Sequence, residues 1–200
     1  MKSFLAIIFL AAVLLATWWL FFKTDKTESE PKQESIKIGK HSPEFNRSVS
    51  DAISAYMSIK DAFVDADTLT AKSADEFFIS KIDTLNLTDL EHEDSLVVIS
   101  ARQQLSDIKA NAEAMLQENN ITEMRQDFRM VSENLYPFLK TIGYEGEKLY
   151  WDNCPMAFGE DKEGNWLSTT KEIINPYLGK NHPEYKSSML NCGEVKDTLQ

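Results

Sequence analysis

The chain has 200 residues, enough for one ordinary domain plus a targeting segment, and its 42% hydrophobic and 10% aromatic content excludes wholesale disorder. With 7 Gly and 6 Pro, the composition leans toward helices and away from a turn-rich sandwich. A formal net charge of −11, more negative still once Lys2 and Lys23 are set aside, argues against nucleic acid and against adhesion to anionic lipid.

The chain opens with "MKSFLAIIFLAAVLLATWWLFFK". Its uncharged run from Phe4 to Phe22 spans ~28 Å as a helix at ~1.5 Å per residue, close to the ~30 Å hydrocarbon core of a bilayer. A cleaved signal peptide is the competing reading, but its apolar region is usually shorter and ends at a small-x-small site. Here the run ends in "TWWLFF", bulky residues suited to a membrane interface. Residues 1–23 therefore read as a membrane anchor, with a cleaved signal as the alternative. The anchor reading puts the bulk of the chain in the periplasm or cell envelope, held to the inner membrane, and the signal reading has it secreted after cleavage; either way the cysteines reach an oxidising compartment. Residues 24–42, "TDKTESEPKQESIKIGKHS", offer little to bury and read as a flexible polar linker.

Residues 43–143 carry four amphipathic patterns. Ser42 before Pro43 is an N-cap with proline at the first helical position, and Phe45, Val49, Ile53, Tyr56, Ile59 and Phe63 follow on one helical face. A second, less regular pattern places Leu69, Phe77, Phe78, Ile82 and Leu85 inward. A third runs from Asp94 to Gln117 through Leu96, Ile99, Leu105, Ile108, Ala112 and Met115. In the fourth, Asn120 and Glu123 occupy N-cap and N3 positions, and the stripe is Met124, Phe128, Val131, Leu135 and Phe138 with Leu139. Gly143 is a natural stop, and Pro137 is a candidate kink. Four such helices with short connections predict a mainly α fold, an antiparallel four-helix bundle. Met115 and Met124 read as core packing.

After Gly146 the pattern breaks down, so residues 144–200 are expected as a small irregular Cys/Met lobe, completing one domain over 43–200. This lobe holds the chain's 2 cysteines, in "YWDNCPMAFG" and "SSMLNCGEV". Cys154 and Met156 flank a proline, while Met189 and Cys192 repeat the donor pair in reverse order. Thiolate and thioether sulfur suit a soft ion such as Cu(I), so Cys154, Met156, Met189 and Cys192 form a candidate metal set, with His182 as an additional imidazole. The alternative is a Cys154–Cys192 disulfide, which would close a loop of about 38 residues and contribute ~4 kcal/mol on the chain-entropy account. Spacing leaves both open. No CxxC pair and no histidine adjacent to a cysteine points to thiol catalysis, and His41, His92 and His182 lack paired carboxylates, so the chain does not read as an enzyme.

The blocks "AYMSIKDAFVDAD", "MRQDFRMVSENL", "LYWDNCPMAFGEDKEGNWLSTTKEIINPYLG" and "MLNCGEV" resemble a bacterial family of exported domains of unknown function. That family is found alone and fused to the periplasmic adaptor subunits of heavy-metal efflux pumps. The resemblance runs from about Val49 to Leu199. It implies metal handling, with copper as the ion and efflux adaptors or other envelope proteins as partners. "YWDNCPM" is also similar to the "YTCPMHP" motif of small heavy-metal-binding domains, which points to Cys154 and Met156. The histidine after methionine in that motif is Ala157 here, and the segment around His182 is longer than the family spacing. Trp166, Asn175 and Tyr177 match the family's "WLS" and "NPY" blocks and read as shape-determining.

Overall fold

The computed structural model describes residues 17–18 and 40–200. All of the anchor expected over 1–23 except residues 17–18, and all of the linker expected over 24–42 except residues 40–42, lie outside the described residues. Among the described residues no helix is long and apolar enough to cross a membrane.

The first helix, α1, spans Pro43–Asp65. Its start is fixed by Ser42, whose Oγ accepts the Phe45 N–H at 3.1 Å, with Pro43 just inside. All six residues of the expected stripe, Phe45 to Phe63, are buried. Ala66 ends the helix in a left-handed conformation, φ 60°, and Asp67 at once caps α2, Thr68–Thr84, so the two helices turn back on each other. A short 3-10 turn at Leu87–Leu90 leads to α3, Ser95–Gln117, and Asn120 caps α4, Ile121–Thr141. Consecutive helices pack side by side around one core, a mainly helical arrangement in keeping with a four-helix bundle. Helix α4 continues through Pro137 to Thr141.

Two stripes differ from expectation. In α2 the buried positions are Ala71, Asp75, Phe78 and Ile82, a strict three-and-four spacing with a carboxylic acid in its middle. Leu69 and Phe77 face solvent instead, with Lys81 lying over the Phe77 ring. In α3 the buried face is Val97, Ala101, Ile108, Ala112 and Met115. Leu96 and Ile99 sit out of phase with it, by about 100° and 200° of helical rotation from Val97, and are exposed.

The C-terminal lobe is not irregular throughout. It contains a three-stranded antiparallel sheet of β1, Leu149–Cys154, β2, Gly164–Ser168, and β3, Glu194–Leu199, ordered β2-β1-β3. Two aromatic junctions lock it to the helices. Tyr56 on α1 bonds Ser132 on α4 at 2.7 Å and accepts the Leu167 N–H of β2 at 3.1 Å. Tyr136 on α4 stacks on Trp151 of β1, ring centroids 4.3 Å apart, and donates to Asp197 on β3, which also pairs with Lys140 at 3.1 Å. Phe128 bridges the layers, stacking on Tyr56 at 4.9 Å and reaching Tyr177 at 6.1 Å. At the chain's entry into α1, His41 already contacts the fold through Ile142 and Glu145.

Candidate functional site

The lobe's chemistry begins at the last residue of β1. Cys154 is fully buried and is joined to half-buried Cys192 in a disulfide, with Cα atoms 5.7 Å apart across 38 residues of sequence. The bond ties the central strand to the residue that leads, through Gly193, into β3. Gly193 has φ +140°, and a Cβ there would stand 2.7 Å from the Asn153 carbonyl oxygen, so only glycine lets the chain pass this close to β1.

Asn175 sets the other side of this junction. It is fully buried, and its Nδ2 donates to the Cys192 carbonyl at 2.9 Å. Its Oδ1 accepts the N–H groups of Tyr177 and Leu178 at 2.8 and 3.0 Å, and its own N–H reaches the Leu190 carbonyl at 2.8 Å. One side chain thus clasps the "NPY" turn to the "MLNC" segment. Trp166 and Tyr177 meet edge to face beside it at 5.8 Å, and Tyr177 donates to the Asn165 carbonyl. Both rings are core, in line with a shape-determining role.

A cleft of about 310 Å³ opens at the 156–159 turn that follows β1. Its walls are the first turn of α4, the 156–159 turn after β1, and the 177–185 segment. Met156 and His182 line it, whereas Cys154, Cys192 and Met189 do not. The five sulfur and imidazole candidates therefore do not share this cleft. Within the disulfide neither cysteine has a thiolate to offer, and among the described residues no group of three His, Cys, Asp or Glu side chains could hold a metal ion. His182 Nδ1 accepts from the Glu184 and Tyr185 N–H groups at 3.3 and 3.2 Å, which assigns the ring proton to Nε2. In this oxidised form the set offers no thiolate, the soft donor that Cu(I) prefers, and it does not fit that ion.

The cleft also has a floor that sequence pattern does not reveal. Arg125, on the second turn of α4, is 5% exposed. Its Nη2 donates to the Phe63 carbonyl at the end of α1, at 2.6 Å, and Gly179 lies against that nitrogen. Its Nε has no hydrogen-bond partner, and no carboxylate forms an ion pair with the guanidinium among the described residues. Burial alone pulls its pKa down to about 10, which leaves it charged at neutral pH. Burial first, then the Arg125 charge, hold the His182 imidazole below its usual range, with Glu184 opposing and Lys186 adding. The polar residues in "ITEMRQDF" lie on the flank of an amphipathic helix; the approach of the 177–185 segment and the end of α1 encloses the arginine.

Residues 52–146 match a family described as "Protein of unknown function (DUF3347)". The match covers the helices from within α1 through α4 and ends before β1, so both cysteine blocks lie beyond it. No curated protein and no solved structure matches the chain.

Proposed function

We propose that the protein is a disulfide-braced helical interaction module of the bacterial envelope, presented on an N-terminal apolar segment, whose working surface is the C-terminal lobe and its cleft. The observation that carries this reading is the Cys154–Cys192 bond clasped by Asn175. It spans the lobe from the central strand to the segment before β3, and it holds in one shape a stretch too poor in regular structure to hold itself. Constraining that loop contributes ~4 kcal/mol on the chain-entropy account. An oxidising location is what such a bond requires, and the "MKSFLAIIFLAAVLL" start supplies a route there. No bond-making chemistry belongs to this function.

A second reading, soft-metal handling by ligand exchange with copper as the ion and efflux adaptors as partners, keeps one supporting observation. The two cysteine sulfurs converge, so reduction would leave two thiols at one point with Met156 and Met189 close in sequence. Cu(I) titration against a competing chelator, on the full-length protein before and after reduction, separates the two. The interaction-module reading expects no stoichiometric Cu(I) binding by the oxidised protein. Tight binding by the reduced protein that disappears in a C154S/C192S variant would move the assignment to metal handling.

A further inference from the structure

We infer that the cleft above Arg125 is a binding site for a small carboxylate with an apolar body, its charged end held by the arginine and its body by the aromatic and aliphatic walls. This inference rests on the braced-module reading, because the 156–159 turn follows Cys154 directly and the 177–185 segment is held to the Cys192 side by Asn175.

Three independent features converge. The first is the arginine itself, 95% removed from solvent, with Nε unpartnered and without an anion beside it. One carbonyl dipole, that of Phe63, does not neutralise a guanidinium, and a charge buried without a counter-ion is a persistent cost unless a ligand supplies the missing charge. Arginine is also the side chain whose planar fork suits a carboxylate in particular.

The second is the helix end. The first N–H groups of an α-helix have no intrahelical acceptor. In α4, Asn120 Oδ1 takes the Glu123 N–H at 3.0 Å and the Asn120 carbonyl takes that of Met124 at 3.1 Å. Ile121 and Thr122, whose N–H groups are the ones left over, line the cleft. Their partial positive charge adds to that of Arg125, which lines the same cleft.

The third is the lining. His182 is held neutral, with Nε2 as its donor, and stacks on Tyr185 at 4.8 Å. Phe158 and Tyr177, with ring centroids 4.9 Å apart, and Met156 and Leu178 complete a largely apolar enclosure. Glu184 is the acidic residue in the lining; it is exposed and does not pair with Arg125. A volume of about 310 Å³ is at the lower end for small-molecule pockets. It suits a free acid of the size of phenylacetate or hexanoate better than a bare inorganic anion, which would leave the aromatic walls wet.

The test is calorimetric titration of the full-length oxidised protein with sodium phenylacetate and sodium hexanoate, against phenylacetamide and hexanamide at matched ionic strength. At least one acid is expected to bind, tenfold or more tightly than its amide. Arg125→Met should weaken that binding at least tenfold. Because this change also removes the contact to Phe63, Thr122→Asp serves as the second variant. It places a carboxylate at an exposed helix N-terminus, where it favours the helix, while repelling the ligand's charge, and it should weaken binding about tenfold in a folded protein. Equal binding of acid and amide, no binding of either acid, or binding unchanged by Thr122→Asp overturns the inference. Disulfide content read by mass on the same sample keeps the two claims apart. Failure with the Cys154–Cys192 bond intact refutes the carboxylate site and leaves the braced module standing.

Discussion

Asp75 is the buried group whose energetics can be worked out most fully. It lies on the core stripe of α2, has no exposed surface, and neither carboxyl oxygen has a hydrogen-bond partner. Burial, with added repulsion from Glu76 and Asp127, raises its pKa from the ordinary 3.8 to about 8. At pH 5–7 the native state therefore holds a proton that the unfolded chain has released. Stability changes with pH in proportion to the protons bound by the unfolded state minus those bound by the native state, here zero minus one, so it falls as pH rises. The slope is about −1.4 kcal/mol per pH unit between the unfolded value near 4 and the folded value near 8, and it vanishes outside that window. Asp152 and Asp127, whose pKa values are also raised mainly by burial, to about 7 for Asp152, add slope of the same sign. Asp75→Asn keeps the shape of the neutral acid and removes one proton from the balance. Relative to the parent, the variant should gain about 1.4 kcal/mol per pH unit from pH 5 to 7. With a urea m-value of about 1–3 kcal/mol/M, that is a shift of about 0.5–1.4 M in relative midpoint per pH unit. Urea melts of both proteins at pH 5, 6 and 7 measure it. Parallel pH profiles would refute the reasoning, since they would mean that Asp75 is ionised or hydrated in the native state.

Two further substitutions probe the joints of the fold. Asn175→Ala removes the acceptor of two buried N–H groups and the donor to the Cys192 carbonyl, which should cost at least about 2 kcal/mol. It should also speed reduction of the disulfide by dithiothreitol, followed as thiol release; an unchanged rate would mean that Asn175 does not hold the bond in place. Tyr56→Phe leaves the Leu167 N–H and Ser132 without their partner between α1, α4 and β2, at an expected cost of about 1–3 kcal/mol in a urea melt. A loss under about 0.5 kcal/mol would show that this junction is not a structural tie.

What could be read ahead of the structure followed from local physics. Helices α1 and α4 are legible because cap, proline and apolar period agree over a long stretch. In α2 the period is equally strict, but Asp75 occupies a core position, and a search for apolar residues shifts to Phe77, which is in solvent. In α3 the buried face is legible at Ile108, Ala112 and Met115, but toward the N-terminus Val97 and the small Ala101 carry it, while the larger Leu96 and Ile99 are exposed. The sheet was not legible. β1 is buried at Leu149 and again from Asp152 to Cys154 without alternation, β3 is mostly exposed, and their pairing joins residues far apart in sequence. The cysteines and methionines stood out, yet cysteine spacing alone does not separate a bond from a ligand pair. Arg125 is one charge among many in the sequence, because its burial is made by the distant 177–185 segment and the end of α1.

The shape of the C-terminal lobe depends most on the state of its two sulfurs. Peptide mapping of the full-length protein, alkylated in its native compartment and digested without reductant, reads that state directly. A braced lobe gives one cross-linked peptide pair containing Cys154 and Cys192, separating into two alkylatable thiols after reduction. Recovery of both cysteines already alkylated before any reductant is added would contradict it and return the sulfurs to the role of ligands.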